Sequence, residues 1–120
     1  MSYDIYLTDP VSGEALEIPQ PHFMGGGNQC LYGTNTLWLN ITYNYSAIYK
    51  RENVFGKEGI RSIYSKTGQQ SIPILENAIN HLGNKASADY WMPTEGNAKR
   101  PLLQLLAMAR MRPDGIWKGD

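Results

Sequence analysis

The sequence predicts an α+β domain in which an antiparallel sheet from the N-terminal half is packed by C-terminal helices. Three observations lead to this prediction. Residues 36–46 alternate apolar and polar side chains, as a β-strand does. Residues 71–82 and 94–112 carry apolar side chains at helical spacing. At 120 residues, the chain fits one domain, residues 1–120, with a single core.

The N-terminal residues predict a hairpin. Residues 3–7 alternate, and residues 8–13 hold the Asp, Pro and Gly that are typical of a turn. Residues 15–18 can return as the second strand. Pro19 and Pro21 are expected to end that strand, because proline cannot donate to a ladder.

Residues 20–35 contain a run of three glycines and predict a loop, which is either a lid over a ligand or a wide turn. Residues 29–32 can form a short strand within it. Cys30 is the only cysteine, so an internal disulfide is excluded and a packed thiol is favoured. This cysteine usage predicts a cytoplasmic location.

Beyond residue 46 the apolar spacing becomes helical, in short segments that are expected to stop at residues 67–68. A firmer helix follows, with Ser71 as its N-cap and Pro73 in its first turn. Residues 83–84 should end that helix.

The last helix is predicted to begin after Thr94, which is a suitable N-cap. Pro101 either sets a later start or kinks the helix. Residues 102–109 are apolar nearly all round, as in a helix that is central to a core or packs against a second subunit. A homo-oligomer is therefore expected. Residues 113–115 turn the chain into a short tail.

Charge limits the classes of partner. Eleven basic and eleven acidic residues cancel, so no global field attracts nucleic acid or an anionic membrane. No apolar run approaches the roughly 18 residues of a membrane span, so no membrane partner is predicted. Residues 50–66 are locally basic, with the aromatic residues Tyr49, Phe55 and Tyr64 before and among them. They form either a nucleic-acid surface or, as we favour, a solvated helical face.

The polar face of the predicted strand over residues 36–46 is unusual. It carries Trp38, Asn40 and Asn44, although asparagine is depleted in strands. One interpretation is a platform on which Trp38 stacks against a planar ligand while the amides bind its edges. The other is that a loop covers this face and satisfies the amides.

A second candidate site lies at the start of the last helix. Lys99 and Arg100 are unfavourable next to the positive end of a helix dipole, and an anion would reverse that penalty. Asn97 can add a hydrogen bond. The alternative is solvated side chains or an ion pair with the acidic N-terminal hairpin. His22, beside the Gly-rich loop, is a further candidate for ligand contact, although it lacks partners at metal-binding spacing.

Together these residues predict a non-enzymatic protein that binds an anionic planar small molecule such as a nucleotide. No carboxylate pair, metal cluster or nucleophile with a placed base is evident, so an enzyme is disfavoured and no cofactor or metal is predicted. The alternatives are a module that occludes a host protein and a nucleic-acid-binding protein. The predicted ligand contacts are Trp38, Tyr45, Asn40, Asn44, Asn97, Lys99, Arg100 and His22.

Four segments of the chain, residues 3–10, 38–45, 94–100 and 111–115, resemble a small uncharacterised protein family found in phages and prophage regions. The resemblance implies a viral or prophage source and hence the cytoplasm of a host cell. It implies no activity, cofactor or site. Small phage accessory proteins often bind a host protein, a nucleic acid or a signalling nucleotide, and this analogy agrees with the three alternatives.

Overall fold

A computed structural model describes residues 1–22 and 33–120 of the chain. Within these residues three antiparallel strands form one sheet in the order β4-β1-β5, and β2 and β3 form a second. The strands are β1 Ser2–Thr8, β2 Glu17–His22, β3 Thr34–Thr36, β4 Trp38–Thr42 and β5 Ile116–Gly119. The helices are α1 Ser46–Tyr49, α2 Gly68–Asn80 and α3 Glu95–Met111, with 3₁₀ helices over Tyr43–Tyr45 and Gly59–Ile63. The predicted α+β class is confirmed.

Strand β1 is central to the larger sheet because it pairs with a neighbour on each edge. Ile5 lies opposite Leu39 of β4 and Gly119 of β5. Its alternate side chains are buried, as the sequence pattern predicted. The buried apolar residues form one cluster to which α2 and α3 both contribute, including the fully buried Leu75 and Leu102.

The tail after residue 115 is a strand, so the prediction of a simple tail was wrong. β5 pairs with the second edge of β1, which short range patterns cannot reveal. Its Trp117 is fully buried, and the indole Nε1 donates to Ser71 Oγ at 2.8 Å. Burying such a large ring explains why this short segment is held.

The strand predicted over residues 36–46 is broken at Leu37, between β3 and β4, and it ends early. β4 stops at Thr42. Thr42 Oγ1 accepts from the main-chain nitrogen of Asn44 at 3.2 Å, and this hydrogen bond caps the 3₁₀ helix that follows. Threonine hydroxyls compete with a sheet ladder in this way. Leu37, Leu39 and Tyr45 are nevertheless fully buried, as the alternation predicted.

The N-terminal hairpin is present in part. Leu16 N donates to Leu7 O at 2.9 Å, but the main partner of β2 is β3. The prediction that Pro19 and Pro21 end the strand was wrong, since β2 runs through both. The register shifts between the paired ends of β2 and both prolines are exposed, so neither is required to donate to the ladder.

Helix α2 begins earlier than predicted. Thr67, not Ser71, is its N-cap, and a reciprocal capping box joins Thr67 to Gln70 through hydrogen bonds of 3.1 and 3.0 Å. Thr94 caps α3 as predicted, accepting from Asn97 N at 3.2 Å. Pro101 lies inside α3, so the helix does not start after it.

Several predictions fall outside the described residues: the glycine run, the strand over residues 29–32 and the packed thiol of Cys30. Among residues 1–22 and 33–120, no helix has the length and hydropathy needed to cross a membrane. The same residues contain no cluster of three or more His, Cys, Asp or Glu suited to a metal ion.

Candidate functional site

The predicted ligand contacts do not converge on one place. They fall into separate groups, and Arg100 is linked to the second of them through Asn97. Trp38 and Asn40 gather at Asp4. Asn44, Tyr45 and Asn97 hold the connector between α2 and α3, residues 86–93. The remaining members, Lys99, Arg100 and His22, contact Asn84, Asn97 and Thr36 respectively.

At the first group, the polar atoms are used by the chain itself. Trp38 Nε1 donates to Asp4 Oδ1 at 3.1 Å, and Asn40 Nδ2 donates to the same oxygen at 2.9 Å and to Ser2 Oγ at 2.7 Å. The indole stacks on Tyr6, with ring centroids 5.9 Å apart and planes 10° apart. Because the Asp4 carboxylate stands at the centre, this face repels an anion.

Asn97 is the main anchor of the connector. Its side chain is 1% exposed, and Nδ2 donates to Asp89 O and Met92 O, both at 3.0 Å. Oδ1 accepts from Ser87 N at 3.1 Å and from Arg100 at 2.8 Å. All four hydrogen-bonding positions of the amide are therefore filled.

Asn44 and Tyr45 also hold this connector. Asn44 Nδ2 donates to Trp91 O at 3.0 Å, and the Tyr45 hydroxyl donates to Tyr90 O. Burial raises the pKa of Tyr45 to about 12, so the hydroxyl remains a donor at neutral pH. These residues position the connector, which presents Trp91 about half exposed.

The start of α3 offers few free groups to an anion. Gly96 N donates to Lys85 O at 2.8 Å, and the next main-chain nitrogen, that of Asn97, donates to the side chain of Thr94. Lys99 Nζ donates to Asn84 Oδ1 at 2.9 Å. The cations that were expected to bind an anion here have acceptors within the protein.

His22 borders an apolar groove beside α3. Its Nε2 donates to Thr36 O at 2.6 Å. The groove has a volume of about 110 Å³ and almost no polar lining. We call it the α3 groove, and its walls are Ile18, His22, Leu37, Gln104, Ala107, Met108 and Met111.

A different pocket combines positive charge with aromatic rings. It is an open depression of about 230 Å³, which we call the Arg61 pocket, lined by Tyr3, Tyr43, Ser46, Lys50 and Arg61. The guanidinium carbon of Arg61 lies 4.9 Å from the ring centroid of Tyr3 and 5.9 Å from that of Tyr43. Cation–π contacts of this length are attractive and hold the guanidinium in place.

Three parts of the fold meet at this pocket. β1 supplies Tyr3, whose hydroxyl shares a 2.5 Å hydrogen bond with Ser46 at the start of α1. Lys50 ends α1, and Arg61 lies on the second 3₁₀ helix. Gly59 allows the close approach of that helix: its φ is +61°, and a Cβ there would lie 3.2 Å from Lys50 Cγ.

The pocket carries two cations, and Asp120 lies beside one of them, Arg61. Among the described residues, neither Lys50 nor Arg61 forms an ion pair with an Asp or Glu side chain. Arg61 Nε donates to the main-chain oxygen of Asp120 at 2.8 Å, which leaves its terminal nitrogens for another acceptor. Nearby, burial and the Asp120 charge raise the pKa of Tyr64, which therefore stays neutral.

Sequence reasoning found part of this pocket and missed its character. Lys50 and Arg61 were recognised within the basic segment 50–66, which we interpreted as a solvated face. Tyr3 and Tyr43 were assigned to buried strand faces. The available signal was aromatic residues close to a basic segment, but only the pairing of β1 with β4 brings Tyr3 to Arg61.

Comparison of the chain with protein-family models, with curated proteins and with solved structures gave no match.

Proposed function

We propose that this protein is a non-enzymatic binder of an anionic planar small molecule, such as a nucleotide, and that the ligand occupies the Arg61 pocket. One observation carries the proposal. Two cations, Lys50 and Arg61, and two aromatic rings, Tyr3 and Tyr43, converge on one open depression. Small-molecule sites typically combine an aromatic wall with a small number of converging polar groups.

In this proposal the cations bind the charged part of the ligand and the aromatic side chains bind its ring. Phosphate or carboxylate oxygens accept from Lys50 Nζ, the terminal nitrogens of Arg61 and the Ser46 hydroxyl. Charge-assisted hydrogen bonds of this kind are about twice as strong as neutral ones. A planar ring stacks beside the guanidinium, against Tyr43. The cation–π contacts restrain Arg61 before binding, so less side-chain entropy is lost on association.

The ligand class is the one that the sequence predicted, but the residues differ. Trp38, Asn40, Asn44 and Asn97 already bond within the chain, and Asp4 adds negative charge beside the first two. These internal hydrogen bonds support a structural role for the four residues. The Arg61 pocket is better suited to an anion because neither Lys50 nor Arg61 forms an ion pair with an Asp or Glu side chain among the described residues.

Thermal-shift and calorimetric titrations with nucleoside monophosphates and inorganic phosphate test the proposal. A ligand at about 100 times its Kd should stabilise the folded protein by about 2.7 kcal/mol. Lys50→Gln and Arg61→Gln should each remove most of this gain. Lys85→Gln is the matched control, because Lys85 is an exposed lysine that lines a different depression. A flat response of the wild-type protein to the whole panel would refute ligand binding.

A second candidate is a module that binds a host protein. It is favoured by the connector of residues 86–93, where Trp91 and Met92 are 50% and 47% exposed on a backbone that is anchored by Asn97. Tryptophan is common among residues that dominate binding energy at interfaces. Loss of a captured host protein in Trp91→Ala, with Lys50→Gln unaffected, would favour this candidate.

Nucleic-acid binding through the basic segment is the third alternative. Its affinity should fall steeply as salt is raised, because binding releases counterions from phosphates. The phage or prophage source, a cytoplasmic location in the host and self-association also belong to the proposal. They rest on the sequence resemblance, the single cysteine and the apolar last helix respectively.

A further inference from the structure

The charges of the Arg61 pocket specify the anion that it suits. The pocket is lined by two cations, two tyrosines and one serine, with no acid among these five residues. Asp120 lies beside Arg61, but its main-chain oxygen accepts from Nε at 2.8 Å and its Oδ1 accepts from Asp4 N at 3.0 Å. A ligand bonded to the terminal nitrogens of Arg61 and to Lys50 is in contact with both cations, whereas Asp120 contacts a different atom of one of them.

The backbone brings both cations to the same depression. Lys50 N donates to Ser46 O at 2.9 Å, so these two residues lie one turn apart on one face of α1. The aliphatic stem of Lys50 packs on Gly59, where a Cβ would lie 3.2 Å from Lys50 Cγ and 3.8 Å from Cε. Arg61 follows on the same 3₁₀ helix as Gly59 and is restrained by its contact with the Tyr3 ring. The two cations therefore come from different elements and line one pocket.

We infer that the Arg61 pocket selects ligands that end in a phosphate monoester, in its doubly charged form, over ligands that carry a single negative charge. This inference rests on the proposed function, because it specifies the charged part of the proposed ligand. A phosphate monoester carries about two negative charges above pH 7, since its second pKa is about 6. A phosphate diester, a carboxylate and a sulfate monoester each carry one.

Charge and donor number both favour the doubly charged group. Coulomb attraction to the two cations is proportional to the charge of the ligand. The three terminal oxygens of a monoester match three donor groups, Lys50 Nζ, the terminal nitrogens of Arg61 and the Ser46 hydroxyl. When Tyr3 donates in the bond that it shares with Ser46, the Ser46 hydrogen remains for the ligand. The depression is open, so the ligand keeps part of its hydration and the penalty of burying a charge is limited.

This selectivity has a signature in the pH dependence of binding. None of the five lining residues is histidine, the side chain that ordinarily changes charge between pH 5 and 8. Asp120 and Tyr64 are the further titratable groups beside Arg61, and burial raises the pKa of Tyr64, which stays neutral in this range. A change in affinity that is seen with a phosphate monoester and not with a sulfate monoester therefore reports the charge of the ligand.

Calorimetric titration with adenosine 5′-monophosphate and adenosine 5′-sulfate tests the inference. The two ligands share the ring, the sugar and three terminal oxygens, and they differ in charge. At pH 7.5 the phosphate should bind about tenfold more tightly, because its additional charge interacts with two cations. At pH 5 its affinity should be about fivefold lower than at pH 7.5, because about one tenth of it remains doubly charged and the rest binds as weakly as the sulfate. The affinity of the sulfate should change little, which controls for effects of pH on the protein.

Variants of Lys50 separate charge from shape. Lys50→Gln leaves one cation, so the difference in binding free energy should halve and the preference should fall from about tenfold to about threefold. Lys50→Arg keeps the charge and should keep the preference, as should Lys85→Gln, at an exposed lysine that lines a different depression. Circular dichroism checks that each variant is folded. Equal affinity of the wild type for the two ligands at pH 7.5, or the same pH dependence for both, would overturn this inference and leave the proposed function intact. Binding of neither ligand would overturn both.

Discussion

Replacing Asn97 with alanine should destabilise the protein strongly, because this one side chain makes four hydrogen bonds. It donates to two connector carbonyls and accepts from Ser87 N and Arg100. Each bond contributes about 0.5–1.5 kcal/mol. The connector lies at the surface, where freed carbonyls regain water, so the lower half of that range applies. We expect a loss of about 3 kcal/mol.

A loss of that size is measurable by urea denaturation and by calorimetry. For a chain of this length, it corresponds to a fall in Tm of about 12 °C, at about 4 °C per kcal/mol. Asn97→Asp tests the direction of the bonds. Its volume is unchanged, but a carboxylate would face the carbonyls of Asp89 and Met92, so the loss should equal or exceed that of the alanine variant.

Asn53→Ala is the control, since Asn53 is exposed and its change should cost less than about 0.5 kcal/mol. If Asn97→Ala lost less than about 1 kcal/mol, the assignment of Asn97 as the anchor of the connector would be refuted. If the loss were large but Asn97→Asp matched the wild type, the two donated bonds would be unimportant and the reasoning from donor direction would fail.

Three further predictions concern the core. Ser71→Ala should cost about 1–3 kcal/mol in urea unfolding, because it leaves the indole N–H of Trp117 unpaired where water cannot reach. Gly68→Ala should cost a similar amount, since its Cβ would lie 2.7 Å from Arg112 O and force α2 away from the end of α3. Burial raises the pKa of Tyr45 from 10 to about 12. The neutral hydroxyl therefore contributes its full stability below pH 10, and this contribution is lost as the pH rises from 10 toward 12. In Tyr45→Phe, the free energy of unfolding measured in urea should fall less over this pH range than in the wild type.

The fold class followed from periodicity, but the element boundaries depended on local side-chain bonds. Alternation correctly placed Leu37, Leu39 and Tyr45 in the core, although the strand ends at Thr42. Its hydroxyl accepts a main-chain N–H, and such bonds leave no mark on a pattern of apolar and polar residues. The capping box at Thr67 had a sequence signature, threonine followed three residues later by glutamine, and that signature could have been used.

The site was harder to predict than the fold because it combines residues that are distant in the chain. Tyr3 and Arg61 meet only after β1 pairs with β4 and the second 3₁₀ helix folds back, so no local spacing reports their contact. β5 was missed for the same reason. Four residues of mixed polarity form a strand only because β1 has a free edge and the core has space for Trp117.

The buried asparagines show what the sequence can and cannot predict about a polar residue. Asn40 and Asn97 are buried, and a buried amide requires partners. The sequence could not distinguish a ligand from the chain itself as the partner. A side chain that anchors its own backbone has its bonding capacity used before any ligand arrives. Charged groups such as Lys50, which lack a carboxylate partner among the described residues, retain theirs, and they are therefore the better guide to where a ligand binds.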